Sequence, residues 1–347
     1  MHEHKEQGSV LNGRENSDGL WRCPKCWGEL DVISNESIRC QLCHENYPAV
    51  EGIPDLRMGK GDALWEEQDL QLAQRYSTEV QKESLETVME QLSDRPENTQ
   101  ETQVMRVKQI LGAPSKFLRQ FDGWLKPCVS GDGLLLDIGC GSGGFLVATE
   151  SIGLGAAGID ASMTNLIAAK RMIEVHGGTA RLACAYAESL PIESGKISAV
   201  TMNDSIEHVT SVRTTIAEAC RVLKIEGHLA ISTPNRFSLT REPHVLIWGV
   251  GWLPRRFQAR YVRWRIAQAY DHTRLMSTWE LSREFKRQDG FSFELIVPLV
   301  PKEEIENFPP VRAALANLYN RICQWRILRP ILLFIGPFYQ VSARRIA

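Results

Sequence analysis

The fold of this 347-residue chain is decided by the stretch Leu134-Leu-Leu-Asp137-Ile-Gly139-Cys-Gly141-Ser-Gly143-Gly144. Its first five residues form a largely apolar run that predicts a buried strand, and a helical pattern from Phe145 to Ser151 follows the glycines. Glycine in such a turn lets a ligand approach the backbone closely and exposes the amide groups that begin the helix. The stretch therefore predicts a strand, a tight turn and a helix that together hold a ligand.

Other short apolar runs alternate with helical patterns in the rest of this half of the chain. Strands buried on both faces read as continuous apolar runs, and strands that alternate with helices form a parallel sheet. We therefore predict an α/β fold with a doubly wound, Rossmann-like sheet. Its predicted strands are Leu134 to Ile138, Ala156 to Ile159, Ala180 to Ala185, Ala199 to Met202 and His228 to Ser232, with further strand from Phe291 to Val300.

The glycine loop alone leaves two cofactors open. Gly139, Gly141 and Gly144 satisfy the G-x-G-x-x-G spacing of dinucleotide-binding proteins. A carboxylate follows at Asp160, at the end of the next predicted strand, where it can accept hydrogen bonds from the ribose hydroxyls of a nucleoside. Folds that bind NAD and folds that bind S-adenosylmethionine both need that carboxylate, so the loop predicts a nucleoside cofactor without choosing between them.

The surrounding sequence separates the two cofactors. The run Asp137-Ile-Gly-Cys-Gly-Ser-Gly143 resembles motif I of the class I S-adenosylmethionine-dependent methyltransferases, in particular type 11 and ubiquinone-methyltransferase-like members. Three more stretches resemble later motifs of that family in order and spacing, and the resemblance covers roughly residues 115–235. They are Glu188-Ser-Leu-Pro-Ile192, Asn203-Asp-Ser-Ile-Glu207-His208-Val209, and Ala219-Cys-Arg221-Val-Leu-Lys224-Ile-Glu-Gly227-His-Leu-Ala-Ile-Ser-Thr-Pro234-Asn235.

This resemblance implies S-adenosylmethionine as the cofactor and assigns residues around it. Asp137 and the glycines surround the amino-acid part of the cofactor, Asp160 binds the ribose, and Tyr186 to Glu188 lie near the adenine. The family often has an acid where Tyr186 stands, so we expect stacking or a backbone amide to replace that contact here. The implied cofactor-binding residues are Asp137, Gly139, Gly141, Gly143, Asp160, Ala187, Glu188 and Asn203.

Candidate catalytic residues follow from the chemistry of methyl transfer, an in-line displacement in which the enzyme mainly aligns the acceptor atom. A hydroxyl acceptor is helped by a general base, and His208, after the fourth predicted strand, is the first candidate. The alternative is that His208 caps or packs beside the next helix; His244 and His272 are second candidates. Asn203 to Ile206 lack the Asn/Asp-Pro-Pro-aromatic motif of methyltransferases acting on planar nitrogens, which favours an oxygen or carbon acceptor.

Two identical C-x-x-C pairs lie near the start of the chain. Cys23 and Cys26 form one pair, Cys40 and Cys43 form the other, and thirteen residues separate them. Four converging thiolates make a closed tetrahedral zinc site with no open position for catalysis. The segment resembles the small zinc-ribbon family whose members accompany methyltransferases as partners or fused modules. We therefore predict a structural zinc ion, with four free buried thiols as the alternative.

Composition divides the chain into five parts. The N-terminal residues are polar and lack the apolar core of a signal peptide, whereas the stretch after the ribbon is rich in Glu, Gln, Lys and Leu and is interrupted at Pro96. The predicted parts are a disordered tail (1–20), the zinc ribbon (21–57), a helical connector (58–125), the methyltransferase domain (126–300) with an aromatic and basic insertion (236–278), and a C-terminal basic and apolar helical segment (301–347).

The net charge is only −2, yet two regions are basic. Seven arginines and one acid, Glu242, lie among aromatic residues between Arg236 and Arg265, and six arginines with no carboxylate follow Asn307. Three interpretations stay open: a substrate lid packed on the core, an anionic membrane surface where a lipid-like acceptor enters, and nucleic acid stacked on the aromatic rings. The near-neutral total charge counts against nucleic acid.

These features predict S-adenosylmethionine-dependent methyl transfer to a hydroxyl of a small, lipid-like or glycosidic acceptor. The alternatives are an RNA methyltransferase and a non-catalytic binding module that retains the cofactor fold. The best candidate for a membrane span, Ile327 to Val341, is interrupted by Arg329, Pro330 and Gly336. The scattered remaining cysteines suit a reducing compartment, so we expect a cytoplasmic protein, peripheral at the inner membrane surface.

Overall fold

The computed structural model describes residues 19–58, 61–80, 83–93, 100–120 and 133–347. Residues 1–18, most of the predicted tail, and residues 126–132, the predicted start of the methyltransferase domain, lie outside this part. Within it the chain forms a sheet of four strands and a sheet of seven.

The small sheet contains the paired cysteines and is called the ribbon below. Its strands, each antiparallel to the next, are β1 (Leu30–Ser34), β2 (Ser37–Cys40), β3 (Asn46–Val50) and β4 (Ile53–Pro54). Directly after β4, the amide of Leu56 donates to the carbonyl oxygen of Cys184, 2.7 Å away, on the edge strand of the large sheet. The ribbon and the residues after it therefore cover an edge that would otherwise expose unpaired backbone groups.

Four helices connect the two sheets: α1 (Ala63–Val80), α2 (Leu85–Ser93), α3 (Gln100–Leu111) and α4 (Ala113–Gln120). Helices α1 and α2 pack against α6 (Met163–Val175) and α4 packs against α5 (Gly144–Ser151), whereas α3 packs against α2 and α4. On α4 the ring of Phe117 meets Phe145 of α5 edge to face, with ring centres 5.2 Å apart. The predicted break at Pro96 and the predicted connector residues 121–125 lie outside the described residues.

The large sheet is mostly parallel, as the alternating pattern predicts. Its strands are β5 (Leu134–Ile138), β6 (Gly155–Asp160), β7 (Arg181–Cys184), β8 (Ile197–Asn203), β9 (Leu223–Pro234), β10 (Phe291–Ile296) and β11 (Phe338–Arg345), in the order β10-β11-β9-β8-β5-β6-β7. The remaining helices are α7 (Val212–Val222), α8 (Arg255–Ile266), α9 (Thr278–Phe285), α10 (Lys302–Glu306), α11 (Pro310–Cys323) and α12 (Arg329–Ile335).

Helices cover both faces of this sheet, which confirms the predicted doubly wound α/β class. Along β5, Leu135 packs with Phe145 of α5, whereas Leu136 and Ile138 pack in the cluster that contains residues of α7 and α9. Strand β5 has β6 on one side and β8 on the other. The strand order reverses there, and the carboxyl ends of strands at such a point form the ligand-binding crevice in open α/β sheets.

The prediction of helix throughout residues 301–347 is wrong for its last part. Residues Phe338–Arg345 form β11, antiparallel to both β9 and β10 and placed between them. Gly336 and Pro337 end the preceding helix, and Tyr339, Val341 and Ala343, spaced two residues apart, are buried in the sheet. The sheet therefore needs residues beyond the predicted domain boundary at 300.

Candidate cofactor and acceptor site

The glycine loop lies at the carboxyl end of β5, at the point where the strand order reverses. Gly139, Gly141 and Gly143 have φ angles of 75°, 51° and 78°, values that favour glycine. At Gly141 no atom lies within 4 Å of the position that a Cβ would take, so the loop borders open space. The loop then runs into the N-terminus of α5. These features fit a ligand that approaches the backbone closely and accepts hydrogen bonds from its amides.

Asp160, the last residue of β6, lies next to this loop. Its Oδ2 accepts a hydrogen bond from the Gly141 amide at 2.9 Å, and its Oδ1 accepts one from the Ser162 amide at 2.9 Å. Burial raises the pKa of this carboxyl, although these amides oppose the rise. An ionised carboxylate has about four acceptor positions, so Oδ2 keeps capacity for a ligand hydroxyl. This geometry leaves Asp160 able to accept a ligand hydroxyl, and its binding of the ribose stays a prediction.

Next to the loop, hydrogen bonds made by Asp137 and Ser205 connect β5 with β8 and with the loop that follows β8. Asp137 is buried and accepts a hydrogen bond from the hydroxyl of Thr201 on β8 at 2.7 Å; burial and the charge of Asp160 raise its pKa to about 7. The hydroxyl of Ser205, in the loop after β8, donates to the Ile138 carbonyl at 2.9 Å. A Cβ at Gly139 would lie 2.5 Å from the Cβ of Ser205, so this position requires glycine.

The residues predicted to lie near the adenine follow β7, and their side chains have partners within the protein. The Glu188 carboxylate accepts the amides of Thr210 and Ser211, at 2.7 and 3.0 Å, next to the start of α7. The Tyr186 hydroxyl donates to the Glu66 carboxylate of α1. Glu66 therefore brings an acid from the connector to the hydroxyl group of Tyr186. Sequence reasoning missed it because 120 residues separate the pair.

A cluster of ionisable side chains lies beyond the carboxyl end of β8. Oε1 of Glu207 is 3.8 Å from Nε2 of His244, and the rings of His208 and His244 meet at right angles with centres 4.8 Å apart. Nδ1 of His244 lies 2.5 Å from the Glu242 carboxylate, and Nδ1 of His208 lies 3.1 Å from the His272 carbonyl oxygen. The structure thus brings together two of the predicted histidines, whereas His272 contributes a backbone oxygen.

Burial and neighbouring charges shift the pKa values of the side chains in this cluster. Burial raises the pKa of Glu207 to about 7, and the charge of Asp204 adds to the rise. Burial lowers the pKa of His208, which favours a neutral imidazole. Burial also lowers the pKa of His244. The hydrogen bond to Glu242 and the charge of Glu242 outweigh that effect, so the pKa of His244 is raised overall. The predicted cofactor residue Asn203 ends β8 a few residues before this cluster.

A family model described as "Methyltransferase domain" matches residues 136–231, which run from β5 to β9 and contain the glycine loop, Asp160 and His208. The chain carries a class I methyltransferase domain. The methyl donor of this class is S-adenosylmethionine, and the open space beside Gly141 and the fixed carboxylate of Asp160 fit its amino-acid and ribose parts.

Curated relatives of this methyltransferase domain are named ubiquinone biosynthesis O-methyltransferases. That of Bartonella tribocorum is 30% identical over 124 residues, 33% of this chain and 49% of the relative; one from Rhodopseudomonas palustris is 34% identical over 123 residues, 34% of this chain and 47% of the relative. The chain spans about half the length of these relatives. Among solved structures, Haemonchus contortus phosphoethanolamine N-methyltransferase 2 with S-adenosyl-L-methionine shares 19% identity at a TM-score of 0.45, covering 68% of this chain and 56% of that one.

The four paired cysteines of the ribbon converge on one point outside the methyltransferase domain. The Cys23 and Cys43 sulfurs are 3.6 Å apart, and those of Cys26 and Cys40 are 3.4 Å apart. Four thiolates at about 2.3 Å from a tetrahedral ion lie roughly 3.8 Å from one another, so the arrangement fits zinc. Amides of Leu42 and Cys43 also point at the Cys40 sulfur, which supports a thiolate there. Zinc binding stays a prediction.

A buried arginine links the ribbon to the methyltransferase domain. The Arg57 guanidinium contacts both carboxylate oxygens of Asp55, at 2.9 and 2.6 Å, and donates to Asp69 of α1 at 3.2 Å and to the Ala161 carbonyl at 3.1 Å. Asp69 in turn accepts the amides of Met163 and Thr164 at the start of α6. These contacts, called the arginine brace below, hold the residues immediately after Asp160.

Proposed function

We propose that this chain transfers a methyl group from S-adenosylmethionine to a hydroxyl group of a small, lipid-like acceptor. The observation that carries the proposal is the cluster of Glu207, His208 and His244 beyond the carboxyl end of β8. Glu207 and His208 belong to the loop whose Ser205 lies against Gly139, and His244 belongs to the insertion. Relatives named O-methyltransferases support oxygen as the acceptor atom. Such a cluster is suited to binding and deprotonating a hydroxyl beside the methyl group.

Different residues of this chain would bind the cofactor and act on the acceptor in the proposed reaction. The loop amides and Asp160 would bind and orient the cofactor, which when bound supplies a methyl group on a sulfonium leaving group. His208, neutral and with Nδ1 directed at a backbone oxygen, keeps Nε2 for the acceptor side. Alignment of the hydroxyl oxygen with the methyl carbon then accounts for most of the rate. His208 as the general base is part of the proposal.

The lipid-like nature of the acceptor is inferred from the exposed apolar side chains and arginines of α8, α11 and α12, together called the basic apolar surface below. Trp264 on α8 is 75% exposed and Ile327, just before α12, is 83% exposed. The rings of Trp252, in the insertion, and Phe334, on α12, meet Phe237 at 5.4 and 5.3 Å and join the two regions. Exposed arginines accompany the apolar residues on these helices: Arg256, Arg260, Arg263, Arg265, Arg312, Arg321 and Arg329.

Apolar side chains surrounded by arginines suit an anionic lipid surface. No helix among the described residues is long and apolar enough to span a bilayer. We therefore propose peripheral association through the basic apolar surface, which would bring a lipid-like acceptor to the methyltransferase domain. The substrate lid predicted as an alternative buries such side chains, and the exposure of Trp264 and Ile327 favours the membrane over the lid.

Calorimetric titration with S-adenosylhomocysteine, with NAD as the control ligand, tests the cofactor. The expected result is binding of S-adenosylhomocysteine alone, followed by transfer of labelled methyl from S-adenosylmethionine to hydroxylated lipid acceptors. Binding without transfer to lipid, sugar or RNA acceptors would favour the non-catalytic module. Binding of NAD alone would contradict the proposed function.

Flotation with vesicles tests the membrane surface. The protein should float with phosphatidylglycerol-containing vesicles at low salt, but not with phosphatidylcholine alone or at high salt. The double substitution Trp264→Ser and Ile327→Ser should abolish flotation, whereas Val175→Ser, which changes an exposed apolar residue on α6, should not. Absence of flotation with anionic vesicles would refute the membrane proposal, and binding of single-stranded RNA under the same conditions would favour the RNA alternative.

A further inference from the structure

Two imidazoles and one carboxylate converge at the acceptor side of the methyltransferase domain. A nitrogen from His208, a nitrogen from His244 and a carboxylate oxygen from Glu207 lie within 4.8 Å of one another. The Glu207 and His208 side chains come from the loop after β8, and His244 comes from the insertion. The insertion therefore completes a set of nitrogen and oxygen donors that the domain matched by the family model provides only in part.

Each histidine is oriented so that one nitrogen remains for a ligand. Nδ1 of His244 is held by Glu242 and Nδ1 of His208 by the His272 carbonyl, so in both rings Nε2 is the nitrogen left to coordinate. Metal-binding histidines characteristically donate their second ring nitrogen to a carboxylate or a backbone carbonyl, which fixes the tautomer and the ring orientation. Here Glu242 is the carboxylate that orients His244, and the His272 carbonyl is the backbone acceptor that orients His208.

Glu207 supplies an independent observation that points to a cation. The residue is 1% exposed, and its Oε1 has no hydrogen-bond donor in the part of the chain that the structure describes. Its other oxygen accepts the hydroxyl of Thr233 at 3.0 Å. A buried carboxylate oxygen without a donor is unfavourable, and this one faces Nε2 of His244 at 3.8 Å. Ligand atoms about 2.1 Å from a tetrahedral ion are roughly 3.4 Å apart, close to that separation.

We infer that Glu207, His208 and His244 bind a divalent transition-metal ion, with Glu242 and the His272 carbonyl orienting the two imidazoles. Two imidazoles and a carboxylate suit first-row ions such as zinc, iron(II) and manganese(II). Three protein ligands leave positions open, unlike the closed four-thiolate site of the ribbon. The open positions would take the hydroxyl oxygen of the acceptor.

The role of this ion in catalysis rests on the proposed function, whereas its binding does not. An oxygen ligand of a divalent ion releases its proton near neutral pH, as zinc-bound water does with a pKa of about 7. The acceptor hydroxyl would pass its proton to solvent; its oxygen then forms a bond to the methyl carbon as the bond from that carbon to the sulfonium sulfur breaks. With the ion bound, His208 would be one of its ligands and the ion would lower the pKa of the hydroxyl; without the ion, His208 would be the general base of the proposed function.

Cobalt(II) titration of the full chain, loaded beforehand with a single equivalent of zinc, tests the site, because the closed four-thiolate cluster of the ribbon takes up that equivalent first. We expect one equivalent of cobalt to bind by calorimetry, with no intense sulfur-to-cobalt absorption and with the zinc content unchanged. Glu207→Gln and His244→Ala should abolish this binding, and Glu242→Gln should weaken it by about 10- to 100-fold, as loss of an orienting partner does. The control His176→Ala, at an exposed histidine after α6, should bind cobalt like the wild type.

The same samples, titrated with S-adenosylhomocysteine, separate this inference from the proposed function. Retained S-adenosylhomocysteine binding in Glu207→Gln and His244→Ala would show that both variants are folded, so that loss of cobalt supports the site. If the wild type loaded with one equivalent of zinc takes up no cobalt, or if these variants bind cobalt as tightly as the wild type, the metal site is refuted. Cobalt binding without S-adenosylhomocysteine binding would instead refute the cofactor assignment and leave the metal site standing.

Discussion

Replacing Arg57 by Met is expected to destabilise the chain strongly, because the arginine brace is buried. The Arg57 side chain is 2% exposed, and its partners Asp55 and Asp69 are 12% and 6% exposed. Removing one partner of a buried pair leaves uncompensated charge and costs about 3 to 5 kcal/mol. We expect the free energy of unfolding, measured by urea denaturation of zinc-saturated protein, to fall by about that amount.

The brace also predicts an effect on cofactor binding. Arg57 and Asp69 hold Ala161 and the start of α6, next to Asp160, so Arg57→Met should weaken S-adenosylhomocysteine roughly tenfold, or about 1.4 kcal/mol. Adding Asp55→Asn should recover part of the lost stability, because one unpaired carboxylate disappears. The control Arg263→Met removes an exposed pair with Asp271 and should cost about 1 kcal/mol or less. A loss in Arg57→Met no larger than in this control would refute the reasoning.

Three further perturbations test the site, the ribbon and the insertion. Asp160→Ala should weaken S-adenosylhomocysteine binding by about 1.5 to 3 kcal/mol in calorimetry, because charge-assisted hydrogen bonds are lost; an unchanged affinity would contradict the assignment. Cys43→Ser should lower the bound zinc measured by elemental analysis and the melting temperature, whereas Cys323→Ser should keep the zinc. Burial opposes ionisation of Glu280, but Arg255 lowers its pKa to about 2, so its stabilisation is present above pH about 4.5 and is lost as the pH falls toward 2. Glu280→Gln should therefore lower stability at pH 7 by on the order of 3 kcal/mol, and its difference from wild type should shrink between about pH 5 and pH 2; a constant difference would contradict this.

Local patterns predicted the features that depend on neighbouring residues. The apolar runs placed the five parallel strands, and the glycine loop with Asp160 located the switch point, because a strand, a turn and a helix each have a short sequence period. The cysteine pairs located a cluster of four thiols that could hold a metal ion, because each pair has a short fixed spacing. The roles assigned to individual residues stay predictions: His208 as the base, the four cysteines as zinc ligands, and Asp137, Gly139, Gly141, Gly143, Asp160, Ala187, Glu188 and Asn203 as the cofactor-binding residues.

Features that join distant residues were not predictable in this way. Glu66 meets Tyr186, Arg57 meets Asp69 and Ala161, and His244 meets Glu207, and no periodicity connects residues so far apart in sequence. Strand β11 was missed for a different reason. Its alternating buried positions follow directly on the apolar helix α12, and the basic and apolar composition of residues 301–347 as a whole masked the change from a helical period to a strand period.

The position of β11 has a consequence for biosynthesis. This strand lies between β9 and β10, yet about a hundred residues separate its start at Phe338 from the end of β9 at Pro234. At roughly 5 to 20 residues per second, a ribosome needs about 5 to 20 seconds to add them. During that time β9 lacks β11, its neighbour on one side, and β10 cannot join the sheet because β11 is the strand that connects it to β9. The nascent chain thus holds an incomplete sheet with an open, apolar edge, which makes this interval the one in which chaperone binding or aggregation competes with folding.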